Sequence, residues 1–305
     1  MSKSHTGLVM ATHGRHYAVR LESDGRLLQC YTRGKKSHLA CGDHVHLEVT
    51  AEGQGIVTDL APRSTLLYRS DVFKQKLIAA NVTHVVIVVA TEPSFSPELV
   101  SRCLAAAESQ DLAATIVLNK TDLTSRLDEA RAQIDVFRRA GYTVLELCAR
   151  ECIAPLESCL AGQRSILIGQ SGMGKSTLIN RLVPDADAAT REISAALDSG
   201  KHTTTLSRVY FRDDGTQIID SPGLQVLGLA HLTRQQVEHA FIEFRPYLGQ
   251  CRFRDCRHRA EPDCAIRAAM AHEKIDSARF HHMQAISAEL PATAVYFRPE
   301  VRRTE

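Results

Sequence analysis

Two short stretches decide how the chain reads: "VLNKTD" at residues 117–122 and "GQSGMGKST" at residues 169–177. The second matches G-x-x-x-x-G-K-[ST], with Gly169, Gly174, Lys175 and Ser176 in the defining positions. It follows an apolar strand pattern, "SILIG", and opens a helical one, "KSTLINRLV", which is the context a phosphate-binding loop requires. From Gly169 through Gln170, Ser171, Gly172 and Met173 to Thr177, backbone N–H groups and the positive end of the helix can cradle a β-phosphate. Lys175 is placed to bridge the β- and γ-phosphates, and the Ser176 hydroxyl to ligate Mg²⁺. The loop does not choose between ATP and GTP.

"NKTD" makes that choice. Asp122 can accept hydrogen bonds from N1–H and the exocyclic amine of guanine, a donor pair adenine lacks. Asn119 fixes the other edge of the base and the loop, and the Lys120 stem can lie along its plane. A site built to hydrogen-bond one base rejects an analogue that leaves its polar groups unpaired, by up to about 10⁴–10⁵. Cys148 and Ala149 in "ELCAR" fit a small-residue loop backing the guanine. The base reader precedes the phosphate loop here, whereas an ordinary GTPase has them in the reverse order.

The rest of the nucleotide chemistry follows downstream. In "DSPG" (220–223), Asp220 can hold Mg²⁺ through water and the Gly223 N–H can meet a γ-phosphate. "GKHTTT" (200–205) offers a switch hydroxyl for Mg²⁺, with Thr204 favoured and Thr205 next. Leu224 stands where a water-orienting Gln is common, so His202 is the nearest candidate general base; an exposed loop histidine is the competing reading. Weak intrinsic hydrolysis that a partner accelerates is the expectation.

A third constellation, "CRFRDCRHRAEPDC", places Cys251, Cys256, His258 and Cys264 as C-x4-C-x-H-x5-C. Three thiolates and an imidazole suit structural Zn²⁺, and four interleaved arginines suggest a basic surface clamped by the metal. The other six cysteines read as small buried hydrophobes, and His281 and His282 as helix-surface residues.

Composition sets the frame. At 305 residues, 44% apolar and 24% charged, the chain has material for two or three domains. It has no run of eighteen apolar residues. Its start lacks the apolar core of a signal peptide, so the expectation is a cytoplasmic protein with reduced thiols and no membrane partner. Net charge is only +2, but the ends are mildly basic: nine Lys/Arg against six Asp/Glu in residues 1–70, and eleven against eight in residues 245–305. That is weak support for nucleic acid at the ends, with ordinary solvated charge the equal alternative.

Residues 1–70 alternate apolar and polar positions in short strands, with "SDGR" as a hairpin turn; a small barrel is predicted, an OB-fold first by its size. From about residue 75, buried runs such as "THVVIVVA" alternate with helices, the pattern of a mostly parallel α/β sheet. "SRVYFRDD" and "TQIIDSPG" read as an antiparallel pair closing that sheet, and the chain beyond about 232 as helical apart from the Cys-rich loop.

Taken together with "GDHVHLEV", "APRSTLLYRS" and "IAANVTHVVIVVA", these motifs resemble the ribosome small-subunit-dependent GTPase A family (RsgA/YjeQ) over nearly the whole length. Lys201 departs from the family's more usual Arg or Gln, and Cys148 from its Ser. The resemblance implies an OB-fold RNA-binding domain (1–70), a circularly permuted P-loop GTPase domain (71–235) and a mostly helical zinc-binding domain (236–305). It further implies GTP/GDP, Mg²⁺ and one Zn²⁺ as ligands, the small ribosomal subunit and its rRNA as partners, and hydrolysis stimulated by the ribosome during late subunit maturation. A monomer is expected. Competing readings are a nucleotide-gated RNA-binding module with little hydrolysis, and a sulfur- or metal-handling enzyme using the cysteines. The permuted order leads from the second switch straight into the zinc domain, so hydrolysis could reorient two RNA-binding flanks.

Overall fold

The computed structural model describes residues 4–33, 39–70, 75–197, 207–223 and 225–291. Lys201, His202, Thr204, Thr205 and Leu224 lie outside them. Five strands come first: β1 (Ser4–His13), β2 (His16–Leu21), β3 (Leu27–Thr32), β4 (His44–Ala51) and β5 (Gln54–Leu60). They pair in the order β1-β2-β3-β5-β4, and β4 pairs back onto β1, closing the ring. All pairs are antiparallel except β3–β5. This is the five-stranded barrel of an OB-fold. Its interior holds Val9, Tyr17, Val19, Leu28, Val45 and Leu47. At Gly7 any Cβ would sit 2.9 Å from the Arg20 carbonyl oxygen, so a side chain there would force the barrel wall apart.

A hairpin follows, β6 (Leu66–Ser70) with β7 (Gln75–Ala80), forming its own two-stranded sheet. "APRSTLLYRS", which matched the family alongside the barrel motifs, therefore contributes its strand to this hairpin, outside the barrel ring. Ser70 ties the hairpin to the chain beyond DSPG. Its N–H donates to the Gly228 carbonyl at 3.0 Å, and its hydroxyl lies 2.7 Å from His231 Nδ1.

The central sheet is built from β8 (His84–Ala90), β9 (Ala113–Asn119), β10 (Thr143–Glu146), β11 (Arg164–Ile168), β12 (Arg208–Phe211) and β13 (Gln217–Asp220), in the order β10-β9-β8-β11-β13-β12. Only β12 runs antiparallel to its neighbour β13, the expected pair. β8 is buried along its whole length, as a strand covered on both faces must be. The base-reading motif ends β9 and the phosphate loop follows β11, two strands away, so chain order is permuted while spatial order is not. β12 does not end the sheet, contrary to its expected closing role: a bridge from Arg208 to Ala11 carries the pairing into barrel strand β1.

Helices α1 (Pro97–Glu108), α2 (Leu127–Arg139), α3 (Ala154–Leu160), α4 (Lys175–Leu182) and α5 (Ala186–Ala196) connect the central strands; α6 (Arg234–Ala240), α7 (Ala265–Ala271) and α8 (Ser277–Ala288) follow the sheet. α1 is buried from Leu99 to Ala107 without a solvent face. The reason is that α6 and α8 pack on its far side. His282, read as a surface residue, is half-buried there with Nδ1 2.9 Å from the Ser101 hydroxyl; His281 is exposed as expected. The scattered cysteines also divide: Cys30, Cys41, Cys103 and Cys148 are buried, whereas Cys159 is half-buried and Cys152 exposed, because it sits in the turn before α3.

Arg279 of α8 is 1% exposed. Its guanidinium pairs with Glu243 at 2.6 Å, donates to Ser101 at 2.9 Å and lies 4.2 Å from the centre of the Phe241 ring. One buried cation thus fastens the C-terminal helices to α1. Removing it strands the Glu243 carboxylate in the interior. Arg279→Ala is expected to lower unfolding stability by about 3–5 kcal/mol. In urea titrations the Arg279→Ala/Glu243→Ala pair should lose less than the sum of the single changes.

Candidate nucleotide site and metal cluster

Asn119 is the centre of the site. It is 1% exposed at the end of β9. Its amide nitrogen donates to the Met173 carbonyl in the phosphate loop at 2.9 Å, and its amide oxygen accepts from the Ala149 N–H at 3.0 Å. One side chain thereby joins the base-reading motif, the phosphate loop and the small-residue loop. Gly174 has φ 91°, and a Cβ there would lie 2.3 Å from the Asn119 amide nitrogen. The glycine is needed twice, for backbone angle and for room.

Beside Asn119 opens a cavity of about 300 Å³ lined by Lys120, Asp122, Cys148, Ala149, Gly174 and Thr177 among others. Asp122 is exposed toward solvent at its rim. Lys120 is held at φ 61° while Thr91 donates to its carbonyl and its own ammonium donates to the Glu92 carbonyl at 2.8 Å. Leu123 and Arg150 also line the cavity. The sequence reading missed both, since neither belongs to the four-letter motif.

The phosphate loop is preformed. Gly169 sits where a Cβ would lie 2.2 Å from the Val88 carbonyl oxygen. Gln170 is not a passive spacer: its side-chain oxygen accepts from the Ser96 N–H, the N-cap residue of α1, at 2.9 Å. Ser171, Gly172, Ser176 and Thr177 remain exposed and Met173 is buried beneath the loop. Lys175 folds back on the loop, donating to the Gly169 and Gln170 carbonyls at 2.8 and 2.9 Å. Burial lowers its pKa, while the nearby Asp220 carboxylate works the other way. Gly223 abuts the loop as well, with a Cβ there only 3.1 Å from the Ser171 nitrogen.

Asp220 ends β13 beside Lys175. Burial pushes its carboxyl up to about 6, against the pull of Lys175 and Arg208. Arg208 faces it in register across β12–β13, a partner with no motif to announce it.

A mostly parallel sheet with this strand order, and a phosphate loop joined to an adjoining cavity by one asparagine, define a P-loop nucleotide-binding protein. A model of the RsgA GTPase matches residues 60–230. The small ribosomal subunit biogenesis GTPase RsgA of Burkholderia pseudomallei (strain K96243) is 53% identical over 277 residues, spanning 90% of this chain and 88% of that protein. The crystal structure of YjeQ from Thermotoga maritima superposes with a TM-score of 0.72 at 26% identity, covering 94% of this chain and 99% of that one. YloQ, described as a circularly permuted GTPase, shares the fold with a TM-score of 0.66 at 24% identity, over 95% of this chain and 98% of that one. The chain belongs to the RsgA GTPase family.

The second constellation is some distance along the chain. Ligand atoms of Cys251, Cys256, His258 and Cys264 all lie within 4.8 Å of one another. His258 Nδ1 is 3.6, 3.5 and 3.3 Å from the three sulfurs, and Cys251 Sγ is 3.9 Å from Cys264 Sγ. The edges of a tetrahedral Cys₃His zinc site come to about 3.5–3.8 Å from ordinary Zn–S and Zn–N lengths, so the donors fit that ion. His258 Nε2 faces the Glu238 carboxylate of α6 at 3.4 Å. Such a partner orients a ligating imidazole, and it lies too far upstream for the Cys/His spacing to reveal it.

The folded Asp220 keeps its proton to higher pH than the unfolded chain does. Its contribution to stability is therefore present at low pH and is lost as pH rises from about 4 to about 6. Nucleotide-free Asp220→Asn is expected to unfold at higher temperature than the parent at pH 7, by up to about 3 kcal/mol, with the gain gone near pH 4. The same variant should bind Mg²⁺-nucleotide more weakly. For the cluster, atomic absorption should find about one zinc per chain, and Cys264→Ser should bring it near zero.

Proposed function

We propose that this GTPase acts in the maturation of the small ribosomal subunit, binding its rRNA and hydrolysing GTP when docked on the particle. Supporting this is the Asn119 junction, which couples the base pocket to the phosphate loop, within a chain 53% identical to a small-subunit biogenesis GTPase.

Guanine enters the cavity beside Asn119, and Asp122 at its rim accepts from N1–H and the exocyclic amine. Ala149 is held by Asn119 so that its loop backs the base. Lys175 leaves the carbonyls of Gly169 and Gln170 to bridge the β- and γ-phosphates, whose charge restores its full protonation. Ser176 at the start of α4, with Asp220 behind a water and Thr204 or Thr205 from the switch, would hold Mg²⁺, which neutralises charge building on the phosphate oxygens. Gly223, where a Cβ would abut Ser171, would offer its N–H to the γ-phosphate. His202 is the proposed base for the attacking water. The segments 1–70, 71–235 and 236–305 are proposed as RNA-binding barrel, GTPase and zinc-binding unit of a cytoplasmic monomer. Among the described residues no helix is long and apolar enough to cross a membrane.

The deciding experiment is GTP turnover by the purified protein, alone and with isolated small subunits, with Asp122→Asn as control. Stimulation of at least tenfold is expected with GTP and none with ATP; Asp122→Asn should lose the preference for GTP. An unchanged rate across a range of salt would leave a guanine-binding RNA module in place of a ribosome-triggered enzyme.

A further inference from the structure

The loop between the zinc-ligating residues carries a feature that metal binding does not explain. Phe253 is 43% exposed, one of three large apolar side chains so exposed among the described residues. It is rigidly presented. Cys251 and Cys256 flank it as candidate ligands, and the Cys256 N–H closes a turn onto the Phe253 carbonyl at 3.3 Å. The same loop is pinned to α8 by Gln284, which donates to the Arg257 carbonyl at 3.0 Å. The loop thus presents an aromatic ring to solvent.

Its surroundings indicate what would cover it. The Arg252 guanidinium lies 5.5 Å from the ring centre, and it also pairs with Asp263 at 3.1 Å. Arg254, Arg257 and Arg259 have no carboxylate partner among the described residues. Of the loop's acids, Glu261 is spent on the backbone N–H groups of Arg257, Arg259 and Ala260, which pull its carboxyl down to about 2. Asp263 is spent on Arg252, leaving Asp255 as the one unpaired carboxylate beside three unpaired guanidiniums.

An exposed aromatic ring on a loop that also carries three exposed, unpaired arginines matches a nucleotide: the ring stacks on a base while the arginines take the phosphates. The base must be unpaired, because the bases of an A-form helix are already stacked and their deep groove is closed to side chains. We propose that Phe253 is a stacking platform for an unpaired nucleotide of RNA, with Arg254, Arg257 and Arg259 seating the adjoining phosphates. The inference rests on the proposed rRNA partnership and adds the contact by which the metal-clamped loop would recognise a single-stranded element. A second protein with an acidic, apolar face is the occupant the test must exclude.

The test uses the full-length protein with three probes: mixed-sequence single-stranded RNA, a fully paired RNA duplex, and isolated small subunits. Phe253→Ala should weaken single-stranded binding about tenfold, leave duplex binding unchanged, and keep zinc content and GDP affinity as in the parent. Phe253→Trp should restore binding, whereas Phe253→Leu, which keeps apolar area without a ring, should not. Because Phe253 carries no charge, the salt dependence should stay as it is; Arg254→Ala should reduce its slope by about one. Full activity of Phe253→Leu would overturn stacking in favour of a protein-type apolar contact. Unaltered binding of Phe253→Ala to both single-stranded RNA and subunits would overturn the platform alone, whereas failure of the unsubstituted protein to bind subunits would overturn the reading beneath it.

Discussion

The two hydrogen bonds of the Asn119 amide are the constraint on which the site depends. Three loops from different parts of the chain meet at this side chain. A buried amide must find partners for both its donor and its acceptor, so each bond it makes holds the others in place. Asn119 can reach both loops because β9 and β11 are separated by a single strand, β8. The permuted chain order is irrelevant to this arrangement. What the asparagine requires is neighbouring strand ends, and the sheet supplies them whichever way the connections run.

Permutation matters instead for what the DSPG segment is attached to. After Gly223 the chain reaches residues 228–231 and is bound there by Ser70 of the hairpin. Helices α6 and α8 then fold back onto α1, locked by Arg279. Any movement of the DSPG segment is thus received at one end by the hairpin that follows the barrel. At the other it meets helices that lead into the Cys/His cluster. The zinc-type donor set is coupled to the same framework, since Glu238 of α6 faces the imidazole of His258.

Much of this was legible in the sequence because it is written in local signals. Strand–loop–helix context marked the glycine-rich loop before α4, four letters at a strand end marked residues that line the cavity, and clustered Cys and His marked donors that converge. Alternation in residues 1–70 was enough for a barrel. What escaped were partnerships set by topology. The predicted hairpin brought Arg208 near Asp220 but did not set their register, and Glu238 precedes the ligands by a full helix. α1 reads as an amphipathic helix and is buried all round, because the elements that cover it come more than a hundred residues later. Arg150 and Leu123 line the base cavity only through the way two loops converge.

The bridge between Arg208 and Ala11 has a consequence for solubility. An open α/β sheet exposes two edges whose free N–H and C=O groups invite pairing with another molecule. Here one edge continues into β1 of a closed ring, which has no edge to offer. The other is β10, four residues long, whose Glu146 is clasped by Arg131 and Arg138. Short length and charge at that position discourage a foreign strand from adding. By joining its barrel to its nucleotide-binding sheet, the folded protein presents fewer free strand edges than two separate sheets would.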